Sequence, residues 1–203
     1  MTDRPLPPVS LVNLPNALTV LRLILVPVFL LALFAEGGHD TVWRWIAWAI
    51  FAIAAITDRY DGHIARKRGQ VTDFGKIADP IADKALTGSA LIGLSMLGDL
   101  TWWVTVVILV REVGVTLLRF AVLRYGVIAA SPGGKAKTFV QIIAIGLYIL
   151  PLPDSLTWLK VSAMALAVLL TVGTGIDYVA KAWTVYSRAK AGHVDRPPAP
   201  PVG

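Results

Sequence analysis

A chain of 203 residues that is 56% hydrophobic and 16% charged, with a mean hydropathy of +0.66, has too few polar side chains for an ordinary soluble globule, where about a quarter of residues are charged. With no cysteine, disulfides and thiolate metal ligands are excluded, and three widely separated histidines argue against an imidazole-rich site. The net charge of +6 sits between apolar segments, where anionic lipid headgroups and phosphate substrates are the natural partners, so nucleic-acid binding is discounted.

Residues 1–15 form a juxtamembrane segment whose Pro5, Pro7, Pro8 and Pro15 oppose a regular helix until Asn16, a suitable cap for the first span. Apolar stretches of about 20 residues, the length that crosses the hydrocarbon core, follow at 17–36, 42–65, 80–98, 102–125, 136–153 and 157–186. Strong breakers separate them: Gly37-Gly38-His39-Asp40, the turn from Gly69 to Gly75, Gly98-Asp99, Ser131-Pro132-Gly133-Gly134 and Pro151-Leu152-Pro153. Pro80 falls in the first turn of the third span, where its missing N–H costs nothing. The first apolar run lacks a small-residue cleavage site after it and reads as a retained span.

The expected fold is therefore all-α, a polytopic membrane protein with six transmembrane helices in one domain at 1–190. Residues 191–203, rich in proline and alanine from Arg196 onward, read as a disordered tail. An even number of spans puts both termini on one side, and placing them inside leaves only Arg44 and Lys160 on the outer connections. The positive-inside rule then makes both termini cytoplasmic, and Trp43, Trp102, Trp103 and Trp158 fall at the outer ends of spans, as an interfacial aromatic belt requires.

The stretch from Asp58 to Asp83 reads D-R-Y-D-G-H-I-A-R, eight residues, then G-K-I-A-D-P-I-A-D. Residues three or four apart share a helix face, so Asp58 with Asp61 and Asp79 with Asp83 make two carboxylate pairs. Ionised carboxylates at membrane depth are costly unless they face a polar cavity, a partner or a cation. Two facing pairs suit Mg2+ or Mn2+, hard cations held by a few carboxylates and the oxygens of a phosphate substrate. Two divalent ions at such a site can clamp both the attacking and the leaving oxygen of a phosphoryl displacement. Gly62 and Gly75, each near a motif carboxylate, leave room for a nucleotide against the helix backbone, and Ala65 does the same one turn on. Arg66 can fork onto a diphosphate.

The complete pattern D-x-x-D-G-x-x-A-R, eight residues, G-x-x-x-D-x-x-x-D resembles the signature of the CDP-alcohol phosphotransferases, membrane enzymes that exchange CMP for an alcohol. The resemblance implies that Asp58, Asp61, Asp79 and Asp83 ligate two metal ions and that Asp83 is also the catalytic general base. It places Gly62, Arg66 and Thr72 at positions that bind the CDP-lipid, with Pro15 and Asn16 closing over the nucleotide. Three further segments, L-P-N-A-L-T-V-L-R at Leu14 to Arg22, R-E-V-G-V-T-L-L-R at Arg111 to Arg119 and G-G-K-A-K-T at Gly133 to Thr138, resemble the phosphatidylglycerophosphate synthase branch. That branch implies CDP-diacylglycerol as donor, glycerol 3-phosphate as acceptor and a homodimer; the expected setting is the plasma membrane, among membrane lipids, with the active site on the cytoplasmic face that the positive-inside rule assigns to the aspartate motif. The final span, Asp177 included, carries no assignment.

Arg111 and Arg119 lie eight apart, close to one helical face, and Lys135 and Lys137 begin the next span across a cytoplasmic turn. Together they make a basic pocket for a phosphate dianion, in which Glu112 is placed to orient one of the arginines. Arg22, two turns inside the first span, is either a substrate contact or a partner between helices. Two other readings remain: the same chemistry with inositol phosphate or another alcohol as acceptor, and a divalent-cation transporter. Against the transporter, a permeation path needs polar groups through to the outer face, whereas the motif residues cluster on the cytoplasmic side.

Overall fold

The computed structural model describes residues 14–68, 73–122 and 132–194, with the side chains of all but 14, 15, 58–68, 73–80, 83, 122, 132, 188, 189 and 191–194. Six α-helices account for nearly all of them: α1 (Leu14–Phe34), α2 (Thr41–Arg68), α3 (Asp73–Met96), α4 (Trp102–Val122), α5 (Pro132–Ile149) and α6 (Thr157–Val194). Short 3-10 turns at Ala35–Gly38 and Asp154–Leu156 join α1 to α2 and lead into α6, and no strand occurs among the described residues.

The helices extend the apolar stretches at their polar ends. The described part of α1 already includes Leu14, so Asn16 lies within the first turn and is not the cap expected from sequence. Pro15 fits there, since the N–H it lacks has no helical partner in a first turn. Likewise α3 begins at Asp73, seven residues before Pro80, so Pro80 is interior and not in the first turn. The apolar run marks where the chain becomes lipid-compatible, whereas hydrogen bonding carries the helix further; the interior proline forfeits one such bond. Pro132, read as part of a turn, instead opens α5 in the position where proline is favoured.

The bundle runs up and down. Arg44, buried near the start of α2, donates from Nη1 to the Tyr148 carbonyl of α5 at 3.3 Å and from Nε to the Gly38 carbonyl, and it pairs with Asp99 in the α3–α4 turn. The Lys160 ammonium of α6 lies 5.8 Å from the centre of the Tyr148 ring. One end of all six helices is thereby tied together. Gly38 has φ +83°, a conformation strained for other residues, and a Cβ there would collide with Leu97.

Next to this latch lies an apolar core. Phe29, Leu33, Phe51, Leu91, Leu94, Ile108, Ile145 and Ile149 are buried, with Ala47, Ala54, Ala90, Ala144 and Ala167 letting the backbones approach. A Cβ on Gly93 would come within 2.8 Å of Leu33 Cδ2, which shows how closely α3 lies on α1. The Ser95 and Thr105 hydroxyls, 2.7 Å apart, satisfy each other within the core. The opposite half of the bundle differs: its buried residues include Asn16, Thr19, Arg22, Thr87, Lys137, Gln141 and Thr171.

The outer surface is apolar nearly throughout, with Leu31 74%, Phe120 69%, Leu169 69% and Val110 66% exposed. By length and composition Asn16–Gly38 and Asp154–Ser187 can each cross a membrane, and Thr41–Thr57 is a shorter apolar helix.

Candidate active site

The polar half of the bundle collects the sequence motifs. Asp58, Asp61, Gly62, Ala65 and Arg66 lie on the last turns of α2, roughly 21 Å or more from Arg44 at 1.5 Å per residue. Gly75, Asp79 and Asp83 lie on the first three turns of α3. The helical backbone gives each aspartate pair a common face. The side chains of these residues, and Thr72 altogether, lie outside the described residues. Four carboxylates on two helices are a donor set that fits hard divalent cations. Among the described residues, which leave out the side chains of the aspartate motif, no group of three or more His, Asp or Glu side chains could hold a metal ion. At the start of α1, Asn16 is buried, and Arg22 two turns on is 1% exposed.

Beside the aspartate helices stands a cluster of cations carried by α3, α4 and α5 and braced by α6. Glu112 of α4 is its centre. Its carboxylate takes the Lys137 ammonium of α5, lies 3.4 Å from Arg111 Nη1 and 3.6 Å from the Lys84 ammonium of α3. Lys84 also donates to the Thr116 hydroxyl at 2.8 Å and to the Glu112 carbonyl at 3.4 Å. Lys137 is 2% exposed, a burial tolerable for an ammonium only when a counter-charge meets it.

The two arginines turn to α6. Arg111 Nη2 donates to the Thr174 hydroxyl at 2.7 Å, and Arg119 Nη2 donates to the Tyr178 hydroxyl at 3.0 Å. Both guanidiniums also lie over the buried Tyr178 ring, at 5.9 Å for Arg111 and 5.6 Å for Arg119. An aromatic face shared in this way attracts two like charges and offsets part of their repulsion. Gly175 lets the helices close here, since a Cβ on it would approach Arg111 Cγ to 3.2 Å.

Of the four cations expected to hold a phosphate, Arg111, Arg119 and Lys137 are engaged by neighbouring helices, while Lys135 in the first turn of α5 is exposed. Glu112 serves Lys137 and Lys84 as well as Arg111. Lys84, Thr116, Thr174 and Tyr178 were not singled out by sequence. A signal existed for α6: Thr171, Thr174 and Tyr178 recur at helical spacing as a polar stripe in an apolar span. Asp177 forms an exposed ion pair with Lys181 one turn on, at 2.6 Å.

Comparison with known proteins agrees with the motifs. The profile of the CDP-alcohol phosphatidyltransferase family matches residues 12–173. A protein of Mycobacterium tuberculosis named probable phosphatidylglycerophosphate synthase is 66% identical over 170 residues, covering 84% of this chain and 81% of the relative. Proteins named CDP-diacylglycerol–glycerol-3-phosphate 3-phosphatidyltransferase are 41% identical in Bacillus subtilis (84% of this chain, 95% of the relative) and 34% identical in Escherichia coli (84% and 94%). The chain belongs to the CDP-alcohol phosphatidyltransferase family.

Proposed function

We propose that the protein transfers the phosphatidyl group of CDP-diacylglycerol to glycerol 3-phosphate, giving phosphatidylglycerophosphate and CMP. The observation that carries this reading is the adjacency of motif and cations: Lys84, the residue after Asp83, reaches Glu112 and Thr116 of the helix that bears Arg111 and Arg119. A base and a phosphate-binding cluster in neighbouring positions are what an acceptor carrying both a hydroxyl and a phosphate needs.

In this mechanism Gly62, Ala65 and Gly75 leave room for the cytidine nucleotide, Thr72 contacts it, and Pro15 with Asn16 closes over it. Arg66 forks onto the donor diphosphate. Arg111, Arg119, Lys135 and Lys137 hold the acceptor phosphate, which fixes the primary hydroxyl for attack. Asp83 takes the hydroxyl proton. The acceptor oxygen forms a bond to the lipid-side phosphorus as the bond from that phosphorus to the CMP oxygen breaks, and CMP leaves with the electron pair. Asp58, Asp61, Asp79 and Asp83 would hold two Mg2+ or Mn2+ ions, whose charge would lower the pKa of the hydroxyl and offset that of the leaving phosphate.

The exposed apolar surface and the charge distribution support six membrane spans, with both termini and the active site on the cytoplasmic side of the plasma membrane. The latch at Arg44 then lies outward, with exposed Trp102, Trp103 and Trp158 at its level. Family resemblance adds a homodimer. The test is release of CMP by purified protein in mixed micelles of CDP-diacylglycerol, with labelled glycerol 3-phosphate, inositol phosphate, serine or glycerol as acceptor. Transfer to glycerol 3-phosphate well above the others is expected. Faster transfer to inositol phosphate would move the assignment to that acceptor, and no transfer to any acceptor would refute the enzyme reading.

A further inference from the structure

We propose that Glu112 is a positioning residue that locks the acceptor-binding cations and the helical turn of the base into one register. The inference rests on the reading of the site as a glycerol 3-phosphate phosphatidyltransferase. It assigns a role, in that reaction, to a carboxylate whose charged contacts are with three cations of the protein.

The geometry is that of a hub. One oxygen of Glu112 receives Lys137 from α5 and lies 3.4 Å from Arg111 of α4, and the other faces Lys84 of α3 at 3.6 Å. Three cations on three helices thus share one partly buried carboxylate. Among the described residues α4 packs chiefly on α6 and α3, so the Glu112–Lys137 pair is a side-chain link to a helix on which the α4 backbone does not closely pack. Removal of the negative charge would leave three cations facing one another in a site of low dielectric, where like charges repel strongly.

Two consequences follow for the reaction. Lys137 and Arg111 are held close together before any phosphate arrives, so less ordering is left for the acceptor to impose on binding. Lys84 is bonded through the backbone to Asp83, and its ammonium is fixed on α4 by Thr116 and Glu112 together. The turn that carries the base is thereby referenced to the helix that grips the acceptor. A shift of Lys84 displaces the base relative to the hydroxyl, and small misplacements at the reacting centre cost large factors in rate.

The two arms of the hub separate experimentally. In the micelle assay, Glu112→Gln keeps the shape of the side chain and loses its charge. It should lower kcat by about tenfold or more and raise the KM for glycerol 3-phosphate several-fold, with the KM for CDP-diacylglycerol within about twofold of wild type. Glu112→Asp, which keeps the charge, should recover most of the kcat. Lys84→Met should lower kcat without the rise in acceptor KM, and Lys137→Met should chiefly raise that KM. A purely structural carboxylate would instead lower thermal stability and leave the kinetic constants of the folded fraction unchanged. Wild-type constants in Glu112→Gln overturn the proposal, as does Glu112→Asp no better than Glu112→Gln. If Glu112→Gln does not fold, wild-type kcat in Lys84→Met overturns it. A wild-type protein that fails to use glycerol 3-phosphate refutes the reaction assignment, whereas an active wild type with unaltered variants refutes the role of Glu112 alone.

Discussion

The Arg119 guanidinium donates to the Tyr178 hydroxyl at 3.0 Å and lies 5.6 Å from the centre of the same ring, so one residue of α6 holds an arginine of α4 in two ways. Arg111 shares that ring at 5.9 Å. Tyr178→Phe keeps the aromatic face and removes the hydrogen bond; Tyr178→Leu removes both. With a hydrogen bond to a charged group worth about 1.5 to 3 kcal/mol, partly replaced by water here, the KM for glycerol 3-phosphate should rise about threefold to tenfold in the Phe variant. It should rise several-fold further in the Leu variant, since a cation over a ring contributes about 0.5 to 2 kcal/mol. Initial rates at varied acceptor and fixed CDP-diacylglycerol measure both. Unchanged KM values would mean the arginines keep their places without α6.

Activity should vanish on chelation of divalent ions and return with Mg2+ or Mn2+. Asp79→Asn should abolish turnover, because a neutral amide cannot replace a carboxylate shared by two cations. Asp83→Asn should also lose turnover but still bind CDP-diacylglycerol, since its proposed contribution is proton transfer. Full turnover in either folded variant would remove the assigned roles.

Arg44 binds the Gly38 and Tyr148 carbonyls and the Asp99 carboxylate at the end of the bundle remote from the chemistry. Arg44→Met should therefore destabilise without slowing catalysis at low temperature. Loss of one partner of a largely buried ion pair costs about 3 kcal/mol, which corresponds to a fall in Tm of roughly 6 to 12 °C in a chain of this size. Thermal unfolding in detergent checks this. An unaltered Tm would show that apolar packing alone holds that end.

A reporter fused after Ala189 should score cytoplasmic, and reporters inserted near Asp40 or Asp154 should score external. The reasoning uses only the distribution of lysine and arginine between the connections. A cytoplasmic Asp154 would overturn the six-span arrangement.

Local spacing determined a great deal. Apolar runs of membrane length separated by glycine and proline predicted six helices, and the described residues form six, with polar ends displaced because backbone hydrogen bonding extends beyond the lipid-compatible stretch. The aspartate spacing, the glycines beside it and Arg66 were legible because helical periodicity converts intervals of three and four into shared faces. What local spacing could not determine was which helix answers which. Lys137 was grouped with the arginines by its charge, yet it is buried against Glu112, and the arginines themselves are held by Thr174 and Tyr178 from a span that carried no assignment. Lys84, which the sequence did not single out, bridges to α4. These pairings join residues 25 to 63 positions apart, set by the order in which six apolar helices pack, and no one-dimensional period encodes that order.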